Sequence, residues 1–165
     1  MKLSFALATE SDAPALARLS TAAHMHLLEK HGRDTSKCLV KETTMLSALK
    51  SSRFLVARFQ GELVAMLCLQ KKKPWAIDPA YFTPVPAPVY LTNMAVAPTW
   101  QRQGVGRQIL NEAHVIVRNW PGDAIRLDAY DNETGAGGFY AKCGYRERGR
   151  VVYRKTPLIY FEWVL

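Results

Sequence analysis

Residues 89–119 restrict the fold of this chain more than any other segment. An apolar run over 89–96 is followed by Pro98, by Gly104 and Gly106, and then by a stretch with helical spacing. One face of that helix carries the apolar residues Val105, Ile109, Leu110, Ala113, Ile116 and Val117. The pattern predicts a buried strand that runs through a tight turn directly into an amphipathic helix, which is typical of layered α/β folds.

Strand-like and helix-like patterns alternate on both sides of this unit. We predict strands at 3–8, 54–59, 63–69, 89–96, 124–130, 145–153 and 158–164. We predict helices at about 13–23, 40–50, 104–119 and 133–143, with irregular backbone over 24–37. Because no repeat, low-complexity tract or linker interrupts this order, we expect a single α/β domain of the α+β type over residues 1–165.

A proline-rich segment at 71–89 stands apart from these elements. It holds five of the nine prolines, at positions 74, 79, 84, 86 and 88. Proline removes the donors of a strand ladder, so we predict a loop or a frayed hairpin tip. Trp75, Tyr81 and Phe82 are too apolar for a plain solvent loop, and we expect them to cover a site or a partner surface.

Composition excludes several classes of protein. The 165 residues are 48% hydrophobic and 22% charged, as in a globular domain rather than a disordered chain. No apolar run is long enough to span a membrane. The apolar start is too short for a signal peptide, so we expect a cytoplasmic protein.

Three widely spaced cysteines without a CxxC pair exclude a disulfide framework or zinc ribbon, and we expect no metal.

The turn before the helix at 104–119 has the composition of an anion-binding site. The net charge of +8 already favours an anionic partner, whether nucleic acid, a membrane surface or a phosphorylated cofactor. Unpaired N–H groups and the helix dipole attract anions at a helix start. Glycines allow a phosphate to approach the backbone, and Arg102 and Arg107 add positive charge. The residues exclude a P-loop and a GxGxxG fingerprint, because Arg107 follows the second glycine and Ile109 replaces the third.

A longer pattern identifies a family. Gln101-x-x-Gly104-x-Gly106, after a strand ending in Val-Ala-Pro, resembles the acetyl-CoA-binding signature of the GNAT acyltransferase superfamily. The segment from Phe139 to Tyr145 resembles the family's FYxxxGF segment. The resemblance implies a mixed, mostly antiparallel sheet of six to seven strands, split between strands 4 and 5 and flanked by about four helices. It also implies an N-acetyltransferase that moves an acetyl group from acetyl-CoA to a primary amine by direct attack in a ternary complex.

The resemblance implies roles for individual residues. Backbone N–H groups from Arg102 to Arg107 would hold the coenzyme A pyrophosphate, and the strand at 94–96 would pair with the pantetheine arm. Tyr140 would lie near the thioester sulfur and donate a proton to the leaving thiolate. The implied cofactor-binding residues are Met94, Ala95, Val96, Gln101, Arg102, Gln103, Gly104, Val105, Gly106, Arg107, Asn132 and Tyr140.

The general base and the acceptor remain open at this stage. Glu162, on the last predicted strand, is our candidate base. The alternatives are Asp128, His24, His26, His31 and a chain of water molecules that ends at solvent. The acceptor is a small-molecule or peptide amine, and the apolar proline-rich segment and last strand leave a homodimer open.

Parts of the sequence are also compatible with two function classes other than an enzyme. A non-catalytic acyl-CoA sensor would use the same turn to bind the cofactor without transferring its acyl group. A nucleic-acid-binding module would account for the charge of +8 and the aromatic residues over 75–82. The chain has no helix-turn-helix, zinc-finger or RNP signature, so we expect no nucleic-acid partner. Arg146, Arg148 and Arg150 alternate, as on the solvated face of an edge strand.

Overall fold

The computed structural model describes residues 2–133 and 135–165 and is built around a mixed sheet. Its strands are β1 (Ser4–Leu7), β2 (Arg53–Phe59), β3 (Glu62–Gln70), β4 (Pro88–Val96), β5 (Ala124–Tyr130), β6 (Arg146–Tyr153) and β7 (Thr156–Val164). Its helices are α1 (Ala13–Lys30), α2 (Glu42–Leu49), α3 (Val105–Asn119) and α4 (Gly137–Lys142). None of the described helices is both long and apolar enough to cross a lipid bilayer.

The sheet has the strand order β1-β2-β3-β4-β5-β7-β6. Strands β4 and β5 are parallel, whereas the pairs β1–β2, β2–β3, β5–β7 and β6–β7 are antiparallel. The parallel ladder joins 88–90 to 124–126, and it ends there although both strands continue. The mixed sheet of seven strands with four flanking helices confirms the predicted fold class.

The chain divides into two compact units. The first comprises Met1–Gln70 and Thr92–Ala113, and the second comprises Lys71–Leu91 and His114–Leu165. The chain thus passes between the units at the end of β3, within β4 and within α3. The single domain over 1–165 stays a prediction.

The core of the first unit lies between α1, α2 and one face of β2 and β3. Its buried members are Ala13, Leu16, Ala17, Leu19, Met45, Phe54, Val56, Met66 and Cys68. The strand register explains the set, because Phe54 pairs with Cys68 and Val56 pairs with Met66, which places all four on one face. Apolar residues with helical spacing on α1 cover that face.

Helix α1 is longer than the sequence pattern predicts. We expected irregular backbone from residue 24, but the helix continues to Lys30. Residues 24–30 contain no glycine or proline to break a helix, and their polar side chains simply face solvent. The helix ends where Gly32 adopts φ +63 and the N–H groups of Gly32 and Arg33 bond to Glu29 and Leu28 carbonyls. This is a Schellman end, in which the left-handed glycine satisfies the last carbonyls.

In the second unit, residues 76–86 lie across one face of β5–β7, and we call them the strap. The segment is irregular as predicted, apart from one turn of 3₁₀ helix at Pro79–Tyr81. Ile77 and Phe82 are buried with Tyr90 and Tyr160 in a small core, whereas Trp75 is 85% exposed and covers nothing. The Tyr160 hydroxyl accepts the Asp78 N–H at 3.2 Å and donates to the Ala76 carbonyl. The strap is therefore held to the sheet by packing and by hydrogen bonds.

One glycine of β6 lets the strap lie close to the sheet. A Cβ atom on Gly149 would be 2.4 Å from Cδ1 of Tyr81. Tyr81 in turn packs edge-on against Tyr160, with ring centroids 5.4 Å apart. Residue 149 therefore sets how near the strap approaches β6 and β7.

Helix α4 begins later than predicted. We expected a helix from 133 to 143, but it begins at Gly137, and Thr134 lies outside the described residues. A turn precedes it, with the Gly135 N–H bonded to the Asn132 carbonyl at 2.9 Å. A Cβ atom on Gly135 would be 1.8 Å from the Tyr130 carbonyl oxygen, so this turn requires glycine.

Truncation of a buried residue of α1 should destabilise the first unit. Leu16 is fully buried, and we expect Leu16→Ala to lower the free energy of unfolding by about 2–5 kcal/mol through lost burial and a residual cavity. Leu39, which is 75% exposed, offers the matched control. Leu39→Ala should change the free energy of unfolding by less than about 0.5 kcal/mol. Urea denaturation followed by circular dichroism measures both. Equal losses in the two variants would contradict the packing described for α1.

Candidate active site

An exposed turn connects β4 to α3. After β4 the chain forms a short 3₁₀ turn at Pro98–Trp100, and α3 begins at Val105. Arg102 has φ +59 and Gly104 has φ +80, so the turn contains two left-handed residues. Residues 101–104 and Arg107 are exposed. A Cβ atom on Gly104 would meet nothing within 4 Å, so the space above this glycine is open.

Two glutamine side chains brace the turn from within. Gln101 donates its amide N–H to the Val96 carbonyl at 3.1 Å, and Gln103 donates to the Thr99 carbonyl at 2.7 Å. The Gln108 N–H bonds to the Gly104 carbonyl at 3.1 Å, which closes the first turn of α3. The N–H groups that precede it have no carbonyl partner within the helix. Such a helix start next to exposed arginines fits the pyrophosphate of a nucleotide cofactor.

Strand β4 carries a distortion that the sequence analysis missed. Asn93 adopts φ +49 inside the strand and is exposed, whereas Met94, Ala95 and Val96 are partly buried. A left-handed residue in a strand changes the direction of the backbone groups that follow it, as β-bulges near active sites do. Asparagine tolerates this conformation better than most residues, and that was the available signal.

Tyr140 of α4 lies in an aromatic cluster of the second unit. Its side chain is buried, with ring centroids 5.3 Å from Phe139, 5.8 Å from Tyr145 and 6.0 Å from Phe161. Burial first, and then the negative charge of Asp128, raise the pKa of the Tyr140 phenol well above its usual range. A phenol with a raised pKa keeps its proton at neutral pH, so it can donate but cannot serve as a base.

Asp128 of β5 carries a carboxylate whose environment differs from that of a solvated acid. Its side chain is partly buried, and burial raises the pKa of the carboxyl. Among the residues that the structure describes, no cation lies within ion-pair distance of it, and no other residue donates a hydrogen bond to it. A partly desolvated carboxylate of this kind is a better proton acceptor than a solvated one.

Glu162 of β7 has a different environment. The residue is 3% exposed, and its carboxylate accepts from the Arg126 Nε at 3.2 Å. It also accepts from the Thr83 N–H at 3.2 Å and the Thr83 hydroxyl at 2.7 Å. The Arg148 Nε lies 3.6 Å away. This carboxylate is thus saturated, which favours a structural role over the base role that the sequence suggested.

The other candidates from the sequence are spread over both units. His24 and His26 are exposed on α1, and His31 caps its C-terminal end. Asn132 is exposed in the turn that precedes α4. Arg150 is paired with Glu147 at 2.8 Å and with Asp131 at 3.0 Å. Within residues 2–133 and 135–165, no three His, Cys, Asp or Glu side chains cluster as metal ligands.

His114 of α3 is a half-buried titratable group to which the sequence analysis assigns no function. Its ring stacks on Trp163 with centroids 3.6 Å apart, and its Nε2 lies 3.1 Å from the Tyr145 hydroxyl. Burial, with a smaller contribution from Arg118, lowers the pKa of His114 to about 4. The imidazole is therefore neutral at neutral pH.

Comparison with known proteins connects this geometry to a family. A family model described as acetyltransferase (GNAT) domain matches residues 50–147, more than half of the chain. An aminoglycoside N(6')-acetyltransferase type 1 of Stenotrophomonas maltophilia is 28% identical over 129 residues, covering 76% of this chain and 79% of the relative.

Two solved structures have the same fold. The PaiA N-acetyltransferase of Thermoplasma acidophilum, in complex with coenzyme A, superposes with a TM-score of 0.76 at 14% identity over 100% of both chains. The ribosomal-protein-S18-alanine N-acetyltransferase of Escherichia coli superposes with a TM-score of 0.72 at 17% identity over 99% of this chain and 94% of its own.

Replacement of Glu162 should reveal a structural role through stability. Glu162→Gln leaves the buried Arg126 charge without its carboxylate, so we expect the free energy of unfolding to fall by about 3–5 kcal/mol. Glu147→Gln, which breaks an exposed pair with Arg150, is the control and should cost less than about 1 kcal/mol. Urea denaturation compares the two, and a Glu162→Gln protein of normal stability would contradict the role described.

Acid should destabilise the second unit through His114. The pKa of this imidazole is about 4 in the folded protein against an ordinary value of 6.5, so the unfolded chain binds the proton more readily between these values. The contribution of His114 to the free energy of unfolding is fully present above pH 6.5 and is lost as the pH falls toward 4. His114→Phe retains an aromatic ring against Trp163. It should reduce the difference between the free energies of unfolding that urea titrations give at about pH 7 and about pH 5. His24→Phe, at an exposed position, should retain the wild-type slope.

Proposed function

Because the chain belongs to the GNAT acetyltransferase family, we propose that it transfers an acetyl group from acetyl-CoA to a primary amine by direct attack in a ternary complex. Membership of the family makes the chain an acyltransferase. The observation that carries the proposal is the exposed turn at 101–107, with left-handed backbone at Arg102 and Gly104. Open space above Gly104 and the adjacent positive charges suit a pyrophosphate.

The cofactor-binding role extends from this turn to the residues that the resemblance implies. We assign the pyrophosphate to the backbone from Arg102 to Arg107, and the pantetheine arm to Met94–Val96, Asn132 and Tyr140. The distortion at Asn93 supports an assignment to the end of β4, because it redirects the backbone groups that follow. Coenzyme A is bound in the crystal structure of the PaiA relative, which has the same fold.

We propose Asp128 as the general base and Tyr140 as the general acid. The amine nitrogen attacks the thioester carbonyl carbon, the C–S bond breaks, and the new amide keeps the acetyl group. Asp128 takes the proton that the nitrogen loses, and Tyr140 gives a proton to the leaving thiolate. Burial raises the pKa of Asp128, which favours its acceptance of a proton, and the raised pKa of Tyr140 keeps the phenol protonated at neutral pH. Glu162 is the weaker candidate because its carboxylate is already saturated.

The two alternative functions lack a supporting observation of this kind. A sensor and an enzyme share the cofactor turn, but a sensor has no need of a partly desolvated carboxylate and a protonated phenol in one unit. The relatives act on chemically different amines: one is named for an aminoglycoside and another for the alanine of a ribosomal protein. The acceptor of this chain is therefore proposed only as a small-molecule or peptide amine at this point.

A negative charge in the turn should abolish binding of the cofactor. Gly104→Glu introduces a carboxylate where we assign the pyrophosphate, and we expect acetyl-CoA binding to weaken by at least about 100-fold in calorimetry. Gly61→Glu is a matched control, because Gly61 also has φ +87 and open space around it but lies in the β2–β3 turn. Gly61→Glu introduces the same backbone strain, so it should bind acetyl-CoA with the wild-type affinity. Unchanged binding by Gly104→Glu would refute the site.

Loss of the Tyr140 hydroxyl should slow turnover more than it weakens binding. We expect Tyr140→Phe to lower kcat by about 10²–10⁴-fold in a thiol-release assay, as for removal of a general acid. Tyr145→Phe removes the hydroxyl of the neighbouring buried tyrosine and should retain most of the wild-type kcat. Equal kcat values for wild type and Tyr140→Phe would exclude Tyr140 as the acid.

A further inference from the structure

An open cavity of about 600 Å³ adjoins the strap in the second unit. It is lined by Pro79, Ala80, Phe82, Pro84, Val85, Pro86 and Arg126. All of these residues except Arg126 are apolar. A cavity of this volume, with an apolar wall and one placed polar group, is typical of a site for a small molecule.

Arg126 is the charged group of this cavity, and it is held rigidly. The residue is 4% exposed. Its Nε donates to Glu162, and one terminal nitrogen donates to the Thr83 carbonyl at 2.6 Å. Its guanidinium lies 5.0 Å from the Phe82 ring centroid. These bonds use two of the five N–H donors of an arginine and fix the plane of the guanidinium group. The cavity wall therefore presents a preorganised binding group for a carboxylate.

The charges around Arg126 leave a positive surplus at this point. Glu162 is shared between Arg126 at 3.2 Å and Arg148 at 3.6 Å, so two cations face one carboxylate. Asp78, the nearest acid of the strap, is exposed and accepts from the Ala80 N–H at 3.0 Å. A second cation beside the Arg126–Glu162 pair favours an anionic ligand, which would accept from the N–H donors that Arg126 does not use in these bonds.

The same face of β5 carries a negative charge two residues further along. Side chains at positions 126 and 128 point to the same side of a strand and are about 7 Å apart along it. Glu162 and Tyr160 stand opposite these two residues in the β5–β7 register. The Asp128 carboxylate has no countercharge among the described residues. The face therefore presents a cationic end at Arg126 and an anionic end at Asp128.

We propose that the acceptor is an amino carboxylic acid, whose carboxylate binds Arg126 in the strap cavity while its ammonium group binds Asp128. This inference rests on the proposed function and adds the class of its acceptor. Asp128 takes one proton of the ammonium group that it binds, which leaves the neutral amine as the nucleophile. The second proton, which the nitrogen loses as the amide forms, restores the Tyr140 phenol after it has protonated the thiolate. A polycation such as an aminoglycoside would place positive charge against Arg126, so it is a poor match to this face.

Matched pairs of acceptors test the inference. We would measure thiol release from acetyl-CoA with α-amino acids, β-alanine and γ-aminobutyrate, each compared with its amide, and with spermidine and kanamycin. We expect kcat/KM for the carboxylate form to exceed that for the amide by at least about tenfold, because an arginine–carboxylate pair is lost in the amide. Acetylation of amides or polycations with equal or higher efficiency would overturn the inference and leave the proposed function intact.

Three variants locate the carboxylate. Arg126→Lys keeps the charge but loses the planar fork, and it should raise KM for the amino acid by about tenfold with little change for its amide. Val85→Trp fills the cavity without touching the Arg126–Glu162 pair, so it should reproduce the loss if Arg126→Lys folds poorly. Ala22→Trp is the control, because it fills the separate groove of about 400 Å³ that Arg18, Thr21, Met25 and Glu42 line along α1. Loss of acceptor binding in Ala22→Trp alone would refute the strap cavity.

A binding measurement separates failure of the inference from failure of the function. Saturation-transfer NMR detects amino acids bound to the enzyme whether or not turnover occurs, and acetyl-CoA calorimetry is run on the same sample. Acetyl-CoA binding without any amino acid signal would overturn the acceptor class alone. An amino acid signal that Val85→Trp abolishes, without acetyl-CoA binding, would support the cavity and refute the transferase reaction.

Discussion

The buried contact between Glu162 and Arg126 is the interaction on which most of the second unit depends. It joins neighbouring strands β5 and β7, and through Thr83 it fixes the strap to both. Neither ion is stable alone in a dry interior, so each holds the other in place and both hold the strap. Hydrogen bonds to both oxygens of the Glu162 carboxylate offset the free-energy cost of burying its charge. Such an arrangement fixes geometry more than it adds stability, which suits the wall of a binding site.

Much of the fold was predictable from local patterns. The β4–turn–α3 unit was predicted almost to the residue, because apolar periodicity, proline and glycine all agree there. The errors fell where local signals were weak. Residues 24–30 were expected to be irregular because polar residues interrupt the pattern, yet Met25, Leu27 and Leu28 are partly buried while the polar residues face solvent, as on an amphipathic helix. The start of α4 was missed because the requirement at Gly135 comes from the carbonyl of Tyr130 and is not visible in the residues around it.

The turn before α3 and the contacts of Arg126 differ in how well sequence could reveal them. The turn is a short contiguous motif whose chemistry depends on backbone shape, so Gly104 and its neighbours mark it directly. The contacts of Arg126 are assembled from positions far apart in the chain, since Thr83, Arg126 and Glu162 meet only through strand register and the course of the strap. For the same reason Glu162 looked like a free acid on a terminal strand. Only its contacts distinguish it from Asp128, for which the described part of the chain supplies no such partners.

Gly149 has a consequence for how this chain could diversify. Its missing side chain is what allows Tyr81, and with it the strap, to rest on β6. A side chain there would displace Tyr81 and with it the strap, whose Thr83 holds Arg126 and Glu162. One position on an edge strand, outside the signature of the family, therefore influences how the strap lies on the sheet. Variation at that position among descendants of this chain would alter the strap, and family signatures would not record the change.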